Sequence, residues 1–323
     1  MSAAFSKHQT PVGQGAAVHR AEAASASRPS ERRRRLALVA ALLAWLGGAC
    51  AQARPLPGER VVHHEVSAWG EIWVVEDAGT RYLRFGRDGV DQSAVRLGDP
   101  LHLEFTYTRA ILSAFAVAPP DPRVLIVGLG GGTLPMFLRR VAPRAVIDVV
   151  ELDPRVAAVA ASHLGFTPDD GVRVHLGDGR RFIEASGATW DVIVLDAYGP
   201  DNIPTALATR EFLVAVRARL APGGLVAANV WSEAVNARYP AMLRTYEDVF
   251  PEVHVVRGLT GASRIVIAPE AATRWDRAHF EEAAARLAAR WRLGFDLRAI
   301  VERGYEPPGG HPAGGAVLRD PRP

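Results

Sequence analysis

The run Val124-Leu-Ile-Val127 is apolar at every position, with no polar alternation, as expected of a strand covered on both faces of a parallel sheet. It leads into Gly128-Leu-Gly-Gly-Gly-Thr133 and then into a helical pattern over 134–141. Apolar runs and helical periods alternate from there. Strands are predicted at 145–150, 172–176, 190–195 and 224–230, and helices at 154–164, 208–220 and 235–249, with Pro222-Gly223-Gly224 as a sharp stop to the helix before it. Two last strands, near 253–257 and 264–268, leave no room for a long helix between them and predict an antiparallel hairpin at the sheet edge.

Upstream, Val61 to Gln92 is a series of short strands broken at Asp77-Ala-Gly79 and Asp88-Gly89, and Leu103 to Ala116 turns helical before Ala118-Pro119-Pro120. The pattern predicts an α/β fold: a Rossmann-like, doubly wound, mostly parallel sheet with an antiparallel edge hairpin, preceded by a small antiparallel β domain. The expected division is a leader over 1–53, the β domain over 57–118, the nucleoside-binding domain over 119–270, and a C-terminal helix with a Pro/Gly-rich tail over 271–323.

Charge changes the picture only at the start. The whole chain carries +3, but residues 1–35 hold seven Lys or Arg and two Glu, or +5, which leaves −2 for the rest and gives no reason to expect a nucleic-acid partner. Arg32 to Arg35, the apolar stretch 36–48 and Ala51-Gln52-Ala53 together resemble a secretory signal, too short for a membrane span of about 20 residues. An exported, periplasmic or membrane-tethered protein is expected, with a cytoplasmic one as the alternative. Cys50, the single cysteine, is expected to be an incidental member of that leader, with lipidation as the alternative. His63-His64 point to opposite faces of a strand, and no metal site is expected.

In such sheets ligands sit outside the carboxyl ends of the strands. There the sequence places Gly128, Gly130, Gly131 and Gly132, then Glu151 and Asp153, then Asp178 and Gly179, then Asp196 to Asp201. Glu151 stands 23 residues after Gly128, the spacing at which a carboxylate accepts from a ribose hydroxyl pair. The loop is G-x-G-G-G-T and not G-x-G-x-x-G, which suits a nucleoside without phosphates better than a dinucleotide. Asp178 is placed to take an adenine amine, with Gly179 letting the ring approach, or else simply to cap the helix after it.

These residues resemble the spermidine synthase family, the polyamine aminopropyltransferases, over roughly 61–268. Asp88-Gly-Val-Asp-Gln92 is similar to the family's D-G-x-x-Q, Glu104-Phe-Thr-Tyr107 to its E-F-x-Y, Glu151-Leu-Asp153 to E-x-D, and Gly177-Asp-Gly179 to G-D-G. The resemblance implies S-adenosylmethionine or its decarboxylated form as donor, with Glu151 on the ribose, Asp178 on the adenine, and Gln92 and Tyr107 facing a shared donor and amine cleft. It implies a small-molecule amine acceptor held between Tyr107, Asp196 and Asp201. A homodimer and a membrane tether through the leader stay open.

The departures matter equally. Gly131 stands where the family has an Asp for the donor's amino group, Gly199 where it has the Asp that deprotonates the attacking amine, and Arg109 where it has a Glu. Two alternatives therefore stand beside aminopropyl transfer: a methyltransferase using S-adenosylmethionine, whose carboxylate would rest on the backbone of 130–133, and a non-catalytic nucleoside-binding protein.

Overall fold

The computed structural model describes residues 58–199, 203–259, 261–310 and 314–322. The leader with Cys50, and Asp201, lie outside the described residues. The described residues belong to one compact unit.

Four antiparallel strands come first, in the order β1 (Arg60–Ser67), β2 (Gly70–Asp77), β3 (Thr80–Phe85) and β4 (Asp91–Arg96). The turn between β2 and β3 is Ala78-Gly79, both at positive φ, as a two-residue hairpin requires. Ile72, Val74, Leu83 and Val95 bury one face of this sheet against Val156, Val159 and Leu164. His63 and His64 do point apart: His63 stacks on His163 at 4.3 Å and His64 on Trp73 at 3.8 Å.

After α1 (Thr106–Ala116) come β5 (Arg123–Val127), α2 (Thr133–Val141), β6 (Val146–Glu151), α3 (Pro154–His163), β7 (Val172–Leu176), α4 (Gly179–Ala185) and β8 (Trp190–Leu195). A 3-10 turn at Thr205–Leu207 precedes α5 (Arg210–Arg217), β9 (Leu220–Trp231), α6 (Tyr239–Val249), β10 (His254–Arg257) and β11 (Ser263–Pro269). The chain continues through α7 (Arg277–Trp291), α8 (Leu297–Gly304) and β12 (Tyr305–Glu306). The eight strands lie in the order β12-β10-β11-β9-β8-β5-β6-β7, with β7, β6, β5, β8 and β9 parallel and the rest antiparallel. The unbroken apolar run of β5 is explained by its two faces. Val124 and Ile126 enter one core and Leu125 and Val127 the other, all at most 3% exposed.

Three expectations are corrected. Pro222-Gly223-Gly224 does not stop a helix: α5 ends at Arg217, and these residues lie inside β9, where the pairing with β8 slips between Trp190 and Val192. Gly224 fits there because a Cβ would lie within about 3 Å of the carbonyls of Ala221 and Trp190. The helix expected over 235–249 begins at Tyr239, since Ser232 to Asn236 is taken up by turns. The hairpin β10–β11 does not form the edge, because the short β12 pairs with β10 outside it. Among the described residues no helix is long and apolar enough to cross a membrane.

Candidate active site

The parallel register sets Val127 beside Val150 of β6 and Leu195 of β8, so Gly128, Glu151 and Asp196 leave the sheet at one level. Beyond them lies a cavity of about 360 Å³, roofed by the small sheet and α1 and walled by the 3-10 turn. Gly128, Gly130, Glu151, Asp153, Asp178, Gly179, Asp196, Tyr107 and Gln92 all line it, as does Gly199. The sequence therefore brought most of its candidates to one place.

Two glycines it named are not there. Gly131 and Gly132 turn away from the cavity: a Cβ on Gly131 would meet Ser93 Oγ at 2.9 Å and Leu164 at 3.2 Å, and one on Gly132 the Phe166 ring at 2.5 Å. Gly179 does line the cavity, yet its missing Cβ would strike Val127 at 2.5 Å, so its smallness lets α4 pack on β5. Gly128 is needed on two counts, its φ of +101° and the carbonyl of Asp196, which a Cβ would approach to 2.4 Å.

Glu151 is buried and already engaged. Its carboxylate accepts from the backbone N–H of Leu129 and of Asp153, each at 2.9 Å, and thereby holds the glycine loop against the end of β6. Burial pushes its pKa up, against the pull of those backbone donors. Asp153 and Asp178 are both helix caps, accepting from Arg155 N and Arg181 N at 2.8 Å. The capping role weighed for Asp178 is thus real, and it coexists with a place on the cavity wall.

Asp196 is half-buried and open to the cavity. Burial raises its carboxyl, while the hydrogen bond from the Asn229 amide, at 2.9 Å, and the influence of the nearby Tyr107 hydroxyl favour the ionised form. Burial and the Asp196 charge push the Tyr107 hydroxyl well up, so it stays a donor. Tyr198, whose hydroxyl donates to the Asn229 carbonyl at 2.8 Å, completes the floor and stacks on Trp231. Glu71 and Glu104 add carboxylates to the lining among Trp69, Phe85 and Phe105. Glu104 pairs with His102 at 2.5 Å and Glu71 accepts from Trp73 at 2.8 Å.

The sequence reading missed Asn229 and Ser93. The signal for Asn229 was present: it is the lone polar residue in the apolar run Leu225 to Val230, and it is 3% exposed. Arg109 stays out of the lining, donating to the Leu103 carbonyl at 2.8 Å and lying over the Phe295 ring. Among the described residues no cluster of His, Cys, Asp and Glu is arranged to hold a metal ion.

Residues 104–257 match the model of the spermine/spermidine synthase domain. The polyamine aminopropyltransferase of Vibrio vulnificus is 34% identical over 200 residues, covering 60% of this chain and 66% of that one. That of Chromobacterium violaceum is 30% identical over 197 residues, covering 60% and 74%. The human eEF1A lysine and N-terminal methyltransferase is 34% identical over 146 residues, 42% of this chain but only 21% of its own length. Among solved structures, a probable spermidine synthase from Corynebacterium glutamicum superposes with a TM-score of 0.64 at 22% identity, over 82% of this chain and 98% of that one. Human methyltransferase-like protein 13 in complex with SAH does so with a TM-score of 0.54 at 27% identity, over 58% and 92%.

Proposed function

Since the chain belongs to the spermine/spermidine synthase family, we propose that it is a transferase taking decarboxylated S-adenosylmethionine as donor and passing an aminopropyl group to a polyamine-type amine. The observation that carries this reading is the half-buried Asp196, held by the Asn229 amide in the same cavity that Tyr107, Glu151 and Asp178 line. Glu151 receives the ribose hydroxyls and Asp178 the adenine amine, which leaves the sulfonium chain to run toward Asp196.

The acceptor amine must attack as the free base, and with a pKa around 10 it is almost wholly protonated near pH 7. A carboxylate raised by burial is the better proton acceptor, and Asp196 takes that role. As the amine nitrogen bonds to the propyl carbon, the carbon–sulfur bond breaks and methylthioadenosine leaves. The amine's proton passes to Asp196 and on to water. Glu71 and Glu104 offer the remaining cationic groups of the acceptor their negative charge.

A second reading, methyl transfer from S-adenosylmethionine, draws support from Gly131. Ser93 and Leu164 fill the space where a side chain would stand, so no anion there binds an amino group or repels a donor carboxylate. Calorimetry with both donors and with methylthioadenosine, followed by mass measurement of the products, separates the two. Tighter binding of the decarboxylated donor and a product heavier by an aminopropyl group is expected. Preference for S-adenosylmethionine with a methylated product would replace the first reading by the second. Export or tethering through residues 1–53 belongs to the same proposal, and cell fractionation tests it.

A further inference from the structure

Arg180 follows Gly179 directly in α4, and every nitrogen of its guanidinium is used. Nε donates to Glu184 at 2.7 Å, Nη1 to Ala206 O at 3.2 Å, Thr209 Oγ1 at 3.3 Å and Asp320 Oδ1 at 2.7 Å, and Nη2 to Asp320 Oδ2 at 2.5 Å. The fork therefore joins three parts of the chain: the helix that starts at the donor-site Asp178, the 3-10 turn whose Ala206 and Leu207 wall the cavity, and the segment 314–322. That segment is anchored independently. Leu318 O accepts from Arg210 N at 2.8 Å, Leu318 N donates to Thr245 Oγ1 at 2.9 Å, Asp320 N donates to Glu211 at 2.9 Å, and the Leu318 side chain packs on the core beneath α5 and α6.

We infer that Arg180 and Asp320 are positioning residues of the donor site, and that the segment 314–322 is the strap through which α5 and α6 set the distance between Asp178 and the 205–207 wall. The inference rests on the donor-site reading above. A planar, bidentate arginine–carboxylate pair fixes orientation as well as distance, which a point charge does not. With side chains 20% and 32% exposed the pair contributes little to global stability. Its effect is therefore local. Small displacements at a binding site cost affinity all the same, because hydrogen bonds weaken steeply away from their preferred distance and angle.

The test uses the full chain and methylthioadenosine, which is uncharged, so that binding reports geometry and not the loss of an anion. Asp320→Ala is expected to weaken its binding about tenfold in calorimetry, with the melting temperature nearly unchanged. Asp320→Glu should restore most of the loss, and Arg180→Lys, which keeps the charge but loses the fork, should not match the parent. In turnover the effect should fall on KM for the donor and spare kcat. Parent-like affinity in Asp320→Ala, or a loss that only tracks a lowered melting temperature, overturns the inference. A parent chain that fails to bind methylthioadenosine overturns the donor-site reading instead. Amide exchange of the unliganded Asp320→Ala protein then decides the strap: faster exchange over 180–185 and 205–209 supports it, and unchanged exchange overturns it.

Discussion

The hydroxyl of Tyr107 and the carboxylate of Asp196 line one cavity and act on each other's charge, although one belongs to the helix before the main sheet and the other to the end of β8. The pair sets a protonated hydroxyl beside the very group proposed to accept a proton. Tyr107→Phe should leave Asp196 with only Asn229 and misaim it. A fall in kcat of about 10²-fold with donor affinity kept is expected. Equal kcat in the two proteins would remove Tyr107 from the mechanism.

The pH dependence follows from burial. Asp196 and Glu151 both have folded-state pKa values above the ordinary carboxylate range. Between the ordinary and the raised values the folded chain holds more protons than the unfolded one. Their contribution therefore makes stability fall as pH rises through that window. The rate runs the other way, because Asp196 must ionise to accept a proton. Its acid limb should lie above the usual Asp range, and Asp196→Asn should abolish it. A limb at the ordinary Asp value would show that another group limits the rate.

At the nucleoside end, Glu151→Ala should weaken methylthioadenosine by about 1.5 to 3 kcal/mol, the worth of a hydrogen bond to a charged group. It should also lower the melting temperature, since Leu129 and Asp153 lose the acceptor of their N–H groups. For Asp178 the two roles can be separated by choice of substitution. Asp178→Ser keeps a helix cap and removes the carboxylate, so affinity should drop with little change in melting. Full affinity in Asp178→Ser would leave the residue as a cap alone.

Gly199 lines the cavity a few residues past Asp196. Gly199→Asp should add a second carboxylate there, and two neighbouring carboxylates raise one pKa toward neutrality. A base so restored is worth about 10² to 10⁴ in rate, so transfer from the decarboxylated donor to putrescine should rise. A folded Gly199→Asp protein that binds the donor and shows no gain counts against aminopropyl transfer and in favour of methyl transfer.

Much of this was legible in the sequence because sheet burial has a short-range signature. The unbroken apolar run of β5, and that of β6 interrupted only by Asp148, announced strands covered on both sides, and the positions at their carboxyl ends had to face the crevice, which is how Gly128, Glu151 and Asp196 were found. What lies across a gap has no such signature. Nothing local tells that Ser93 and Leu164 occupy the space beside Gly131, that Gly179 is small for the sake of Val127, or that Asp320 reaches Arg180. Pro222-Gly223-Gly224 misled because turn-forming residues also serve an irregularity within a strand, and only the pairing of β9 with β8 decides between the two.

The strand order also bears on how the chain is made. Tyr107, Asp196 and Asn229 leave the ribosome far apart in time, and β5, the first strand of the large sheet to emerge, needs both β6 and β8 before its two edges are paired. At about 5 to 20 residues per second, its open edge toward β8 waits seconds for a partner while the glycine loop and Glu151 can already close on each other. The nucleoside end can thus form during synthesis, ahead of Asp196 and Asn229. A vacancy of that kind is where a holdase would act.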